Sequence, residues 1–162
     1  MQLLKTIRMD PSDTFVFEKA AEPGEWAVSG AFAFAQLNPA DLSGKPRAAF
    51  RGGFLGLQSL GWSTLVQIVE ASEQDRVIAT DMLAKHLVDY FGAPDLTTAR
   101  TAAEEEIVFA ASLCDHPTGR VVAVSRRYED GAMREVFRTL SPRASTGPIR
   151  FIPAPATGDE VE

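Results

Sequence analysis

The chain has 162 residues, 45% hydrophobic and 23% charged, which is the make-up of one globular domain able to enclose a core. Its formal net charge of −6 at pH 7 sets the surface as a whole against a phosphate backbone, so nucleic acid is not an expected partner. A single cysteine cannot close an internal disulfide, residues 1–13 lack the apolar stretch of a secretory signal, and no later run has the length of a membrane span; the expectation is a cytoplasmic protein with no membrane partner.

β-branched and aromatic residues between turn-forming clusters predict strands over the first seventy residues. The first covers 3–9 and is closed by DPSD at 10–13, where Pro11 pushes Asp10 out of the helical region. A second strand is expected over 14–20. EPGE at 22–25 then places Pro and Gly as a type II turn requires, and 26–34 is expected to return antiparallel. Residues 36–48, polar with two prolines and a glycine, read as a surface loop. STLVQIVEA at 63–71 reads as a buried central strand.

SEQD at 72–75 opens a helix, since Ser72 can accept from free backbone amides and the acids suit the positive end of the dipole. It runs to Phe91 and is stopped by Gly92 and Pro94, with Asp81, Lys85 and Asp89 on one arc and Leu83, Leu87, Tyr90 and Phe91 on the other. Asp95 starts a second helix over 96–114, and the short link makes the two an antiparallel pair. Residues 120–140 form the clearest local signal, two alternating runs around Asp130-Gly131, the dipeptide of a two-residue hairpin turn. The fold expected is α+β, a mostly antiparallel sheet covered on one face by an antiparallel two-helix hairpin. It occupies residues 1–140 and is followed by a Pro/Ala/Gly-rich tail, 141–162, in which IRFI at 149–152 is suited to an edge strand or to a partner.

The glycines of AFRGGFLGLQSLGW, 49–62, invite a phosphate-loop reading that the spacing refuses. Gly44-Lys45 is followed by Pro46 with no glycine five residues earlier, and Gly53 and Gly56 lack the first glycine of the dinucleotide pattern because position 51 is Arg. They are expected to mark a bulge or a close contact with another element. The alternative is a ligand approaching the backbone there, its negative charge held by Arg47 or Arg51.

Cys114, Asp115 and His116 are adjacent at a helix end, where side chains point about 100° apart, so they cannot relay a proton among themselves. Cys114 is expected to be a core thiol. One cysteine and two scattered histidines, without paired spacing, give no metal site, and no motif calls for a cofactor. His116 is expected near the last helix carbonyls and His86 at the edge of a polar face.

Glu106 falls on the arc of Ala99, Ala102, Ala103, Ala110 and Leu113, where a carboxylate is costly unless paired and where a pocket would suit it to acid or base work. A structural ion pair with an arginine of the sheet, or simply an edge position that reaches water, is the other reading. With Asp130-Gly131 as the turn, Arg127 faces Arg134 and Arg126 faces Glu135. Arg127, Arg134 and Arg138 then gather on one face, and like charges placed opposite each other call for an intervening anion, whether a protein carboxylate, a small ligand or a partner's acidic surface. Solvated, splayed arginines are the plainer alternative.

TIRMDPSDTFVF, GEWAVSGAFAF, FLGLQSLGWSTLVQIVEAS and AAEEEIVFAASLCDHP together resemble a family of small uncharacterised proteobacterial proteins, a domain of unknown function, across most of 3–140. The resemblance implies a bacterial cytoplasmic domain, with relatives accompanying redox-enzyme accessory genes, and brings no catalytic motif. Two functions remain open: a non-catalytic accessory protein that engages another protein or itself, or a small anionic-ligand binder or enzyme. The second would use a pocket between the helix pair and the sheet, with Glu106 and one of Arg51, Arg127 and Arg134.

Overall fold

A computed structural model describes residues 1–140; the tail and its IRFI segment lie outside the described residues. The fold is α+β. Strands β1 (Gln2–Ile7), β2 (Trp26–Val28), β3 (Phe54–Gly56), β4 (Trp62–Ser63), β5 (Leu65–Glu70), β6 (Val121–Glu129) and β7 (Ala132–Leu140) form one sheet in the order β4-β3-β2-β1-β5-β6-β7, with every neighbouring pair antiparallel. Among the described residues four α-helices accompany it: α1 (Asp13–Val16), α2 (Gly44–Gly52), α3 (Glu73–Tyr90) and α4 (Leu96–Ser112).

The middle of the sheet is β1, whose Leu4 lies opposite Ala27 on one side and Ile68 on the other. The stretch expected to be central, β5, is an interior strand between β1 and β6. Leu3, Leu4, Phe54, Leu55, Val66, Ile68 and Val122 join Ala79, Leu83, Ala103 and Ile107 in the main core, so the apolar arcs of α3 and α4 share one interior with the strands. A smaller cluster, Phe17, Phe34, Ala49 and Phe50, forms around α2, with Phe34 and Phe50 edge to face at 5.3 Å between centroids.

The helix starts hold to the residue, while α3 ends at Tyr90 rather than Phe91 and α4 at Ser112 rather than 114. Ser72 Oγ accepts from the Asp75 amide while the Asp75 carboxylate accepts from the Ser72 amide, a reciprocal cap, and Asp95 caps α4 by accepting from Thr98 N at 2.7 Å. The hairpin register is the one the turn requires. Asp130 and Gly131 take φ of 54° and 78°, Tyr128 lies opposite Met133, Arg127 opposite Arg134 and Arg126 opposite Glu135.

Three expectations are corrected. Residues 14–20 are not a strand: Asp13 turns inward, accepting from Thr64 N and Oγ1 at 3.2 and 2.6 Å, and this starts the short helix α1. The 26–34 strand stops at Val28, because Gly30 at φ 83° turns the chain into a 3-10 helix, Ala31–Phe34. The loop expected over 36–48 contains a 3-10 turn, Pro39–Asp41, and the first part of α2. Pro46 is compatible with that helix because it lies in the first turn, where an amide has no intrahelical partner.

The glycines mark close contacts, as expected. A Cβ on Gly56 would lie 2.6 Å from Glu25 Oε1, and one on Gly61 would lie 2.6 Å from the Ala20 carbonyl carbon.

Candidate functional site: an arginine cleft beside a buried ion pair

The site is built on the junction of α2 and β6. Strand alternation puts Val124, Arg126 and Tyr128 on one face of β6, and α2 lies against that strand. Arg126 is the largest fully buried side chain of the described residues. Its Nε donates to Glu135 Oε2 at 2.8 Å, its Nη1 to the carbonyls of Phe50 and Ala49 at 2.9 and 3.3 Å, and its Nη2 to Ser29 O. Ser29 Oγ also donates to Glu135. Burial pulls the guanidinium's pKa down, and Glu135, by charge and hydrogen bond, opposes that shift.

This arrangement explains why a nine-residue segment with two glycines and a proline is a helix at all. At the C-terminal end of α2, where carbonyls run out of intrahelical partners, Arg126 supplies a donor to the Phe50 carbonyl and a second donor to the Ala49 carbonyl, which also accepts from Gly53 N at 3.0 Å. Tertiary docking rather than propensity holds α2 in place.

Arg47 and Arg51 stand one turn apart on the helix so anchored and line an open cleft of about 360 Å³ with Asn38, Phe50, Tyr128 and Arg127. With Lys45 elsewhere on the same helix, α2 carries three cations and no acid. Among the described residues neither arginine has a carboxylate within ion-pair distance. Like charges four apart destabilise a helix by about 0.2–0.5 kcal/mol, which favours an anion at this surface.

The other predicted arginines fall elsewhere. Arg127 forms part of the cleft wall, but alternation carries its guanidinium to the opposite face of the hairpin. There Glu129 sits between Arg127 and Arg134, 3.3 and 3.2 Å from their Nε atoms, and is the intervening carboxylate that the facing arginines call for. Arg138 is exposed near the start of β6, opposite Ala123.

Glu106 lies in a different place, at the edge of a cleft beside α3 and α4 lined with Phe32, Leu87 and Phe91, and no arginine lines that cleft. The structure therefore does not bring Glu106 together with Arg51, Arg127 or Arg134. Burial, reinforced by the negative charges of Glu135 and Glu105, pushes the Glu106 carboxyl up to about 7. Cys114 is a core thiol, pushed up by burial to about 12. His86 is turned inward, its Nε2 donating to the Leu57 carbonyl at 2.9 Å. No group of three or more metal-ligating side chains occurs among the described residues, and none of their helices is long and apolar enough to cross a membrane.

A family model matches residues 1–149, which is nearly the whole sequence. The chain belongs to DUF6505, a family of unknown function. The match takes in every element of the DUF6505 fold described above and nine residues beyond β7. A search of curated proteins and one of solved structures returned no match to this DUF6505 chain.

Sequence reasoning missed Arg126, the residue that organises the site. The signal was present in the hairpin register, which puts Arg126 on the face of Val124, Tyr128 and Phe137 and directly opposite Glu135. A charged pair on an apolar strand face is the mark of a buried ion pair.

Proposed function

We propose that this DUF6505 protein is a non-catalytic binding module that uses the Arg47–Arg51 cleft to hold an acidic segment of a partner protein. The observation that carries the reading is the anchoring of α2. A buried guanidinium fixes the end of the helix that presents Arg47 and Arg51, so the backbone carrying the two cations is in place before any partner arrives. A protein partner fits better than a small anion because the cleft is open. Arg47 and Arg51 are exposed and Tyr128 is half exposed, whereas small ligands are usually mostly enclosed. Arginine and tyrosine are also the side chains that protein interfaces favour. We read the α3–α4 pair as the cover of one sheet face, with α2 docked on that same face of the hairpin through Arg126 and presenting its outer surface to the partner. An accessory role in a bacterial cytoplasm accords with such a module.

The test is fluorescence anisotropy of a labelled Glu-rich peptide with the full chain at several salt concentrations. Binding that weakens with salt, and that falls tenfold or more in Arg51→Glu while Arg138→Glu leaves it unchanged, supports the reading. Equal binding by wild type and Arg51→Glu contradicts it.

A further inference from the structure

The cleft that holds Glu106 has a composition unlike that of the arginine cleft. It encloses about 580 Å³ between the 3-10 helix Ala31–Phe34, the end of α3, the link to α4 and the first half of α4. Its lining is mostly apolar, with Phe32, Leu87, Phe91, Pro94 and Ala102 beside the neutral polar side chains of Gln36 and Thr98. Phe32 and Phe91 meet edge to face at 5.2 Å between centroids, which leaves ring faces available to the space beside them. Into this lining the chain places one ionisable group, the half-buried carboxyl of Glu106, and no cationic side chain.

An acid on an apolar wall is unfavourable in the empty protein, since desolvation penalises its charged form. The groups facing it make this worse: Glu135 of β7 and Glu105 of α4 both add negative charge. No hydrogen bond or opposite charge contributes to its protonation balance among the described residues. A ligand that fills the apolar space and brings a positive charge would supply the partner that is missing, while the phenyl rings accept the cation on their faces.

We propose that the cleft between the 3-10 helix and the α3–α4 pair is a binding site for a small apolar ammonium compound, with Glu106 as its counter-ion and Phe32 and Phe91 as its aromatic wall. The volume lies within the range of sites that take small organic molecules. No covalent step is involved. The site is separate from the arginine cleft and stands or falls independently of it.

Binding the ammonium form requires Glu106 to give up its proton, so affinity rises with pH. Because the free carboxyl titrates at about 7, binding should weaken by up to tenfold per unit below that value and level off above it.

The experiment is a pair of NMR titrations of the full-length protein with 2-phenylethylamine and with its neutral analogue 2-phenylethanol at pH 8, repeated at pH 5.5. The proposal predicts amine binding with Kd at or below roughly 1 mM, preference for the amine over the alcohol, and shifts centred on residues 32, 91 and 102. Glu106→Gln should weaken the amine about ten- to hundredfold and leave the alcohol unchanged, the effect of removing a charge-assisted contact. Ala102→Leu, at an exposed helix position that tolerates leucine, should block both. No binding of the amine by wild type, equal affinity for amine and alcohol, or amine binding insensitive to Glu106→Gln would each overturn the proposal.

Discussion

Replacing Arg126 by methionine keeps much of the apolar stem and removes the guanidinium. Five hydrogen bonds are lost, to Glu135, to the carbonyls of Ala49, Phe50 and Ser29, and to Ser29 Oγ. The Glu135 carboxylate, with a side-chain exposure of 18%, is left without its counter-ion. Breaking one side of a buried ion pair is worth about 3–5 kcal/mol, a large share of the stability of a domain this size. The melting temperature should fall by roughly 6–20 °C, read by calorimetry or by circular dichroism. Replacing both partners with apolar residues, Arg126→Met with Glu135→Leu, removes both charges, so the double variant should be less destabilised than the sum of the singles by more than about 1 kcal/mol. An Arg126→Met protein within about 0.5 kcal/mol of wild type would refute the claim that this side chain anchors α2.

Glu106 makes stability depend on pH with a defined sign. Its folded pKa of about 7 lies above the ordinary 4.5, so between these values the unfolded chain releases a proton that the native protein keeps, and stability falls as pH rises. Glu106→Gln should therefore be more stable than wild type at pH 8 by on the order of 1–3 kcal/mol, with the gap closing towards pH 4.5, as measured by urea unfolding at each pH. Cys114, buried and with its thiol pushed up to about 12, should react with iodoacetamide only as fast as the protein unfolds; stoichiometric labelling of the native protein within minutes would contradict its placement. Gly61→Ala should destabilise by about 1–3 kcal/mol, because the added Cβ meets the backbone of Ala20 and Ala21, which cannot rotate away as a side chain would. Denaturant midpoints of the two proteins check this.

Local signals were the legible part of the fold. Asp130-Gly131 determines its own turn and therefore the pairing of eighteen residues' worth of hairpin, from Val121 opposite Leu140 to Glu129 opposite Ala132. Ser72, Asp75 and Asp95 bond within three or four residues of themselves, and the helices they cap were correspondingly clear. What sequence reading lost are elements stabilised from a distance. Asp13 starts α1 by accepting from Thr64, and α2 holds its end against Arg126, both partners more than fifty residues away. Neither segment has a periodicity that announces a helix. The candidate site followed the same pattern. Arg47 and Arg51 stand out for their charge, but the residue that makes them a site is Arg126, which the hairpin register pairs with Glu135 and which no local signal links to α2. Arg134 and Arg127 attracted attention because they face each other, and Glu129, two residues along the same face, satisfies both. The aromatic wall of the Glu106 cleft was invisible because Phe32 was expected in a strand, and the turn at Gly30 is what brings it beside Phe91.

The measurement that tests the central claim most directly is the salt-dependent binding of a Glu-rich peptide to the full chain, compared between wild type, Arg47→Glu and Arg51→Glu. Arginines held in place by the Arg126 anchor predict that either reversal weakens the peptide at least tenfold and that added salt weakens wild type most. Peptide affinity that is the same in all three proteins would contradict the arginine cleft as the binding surface.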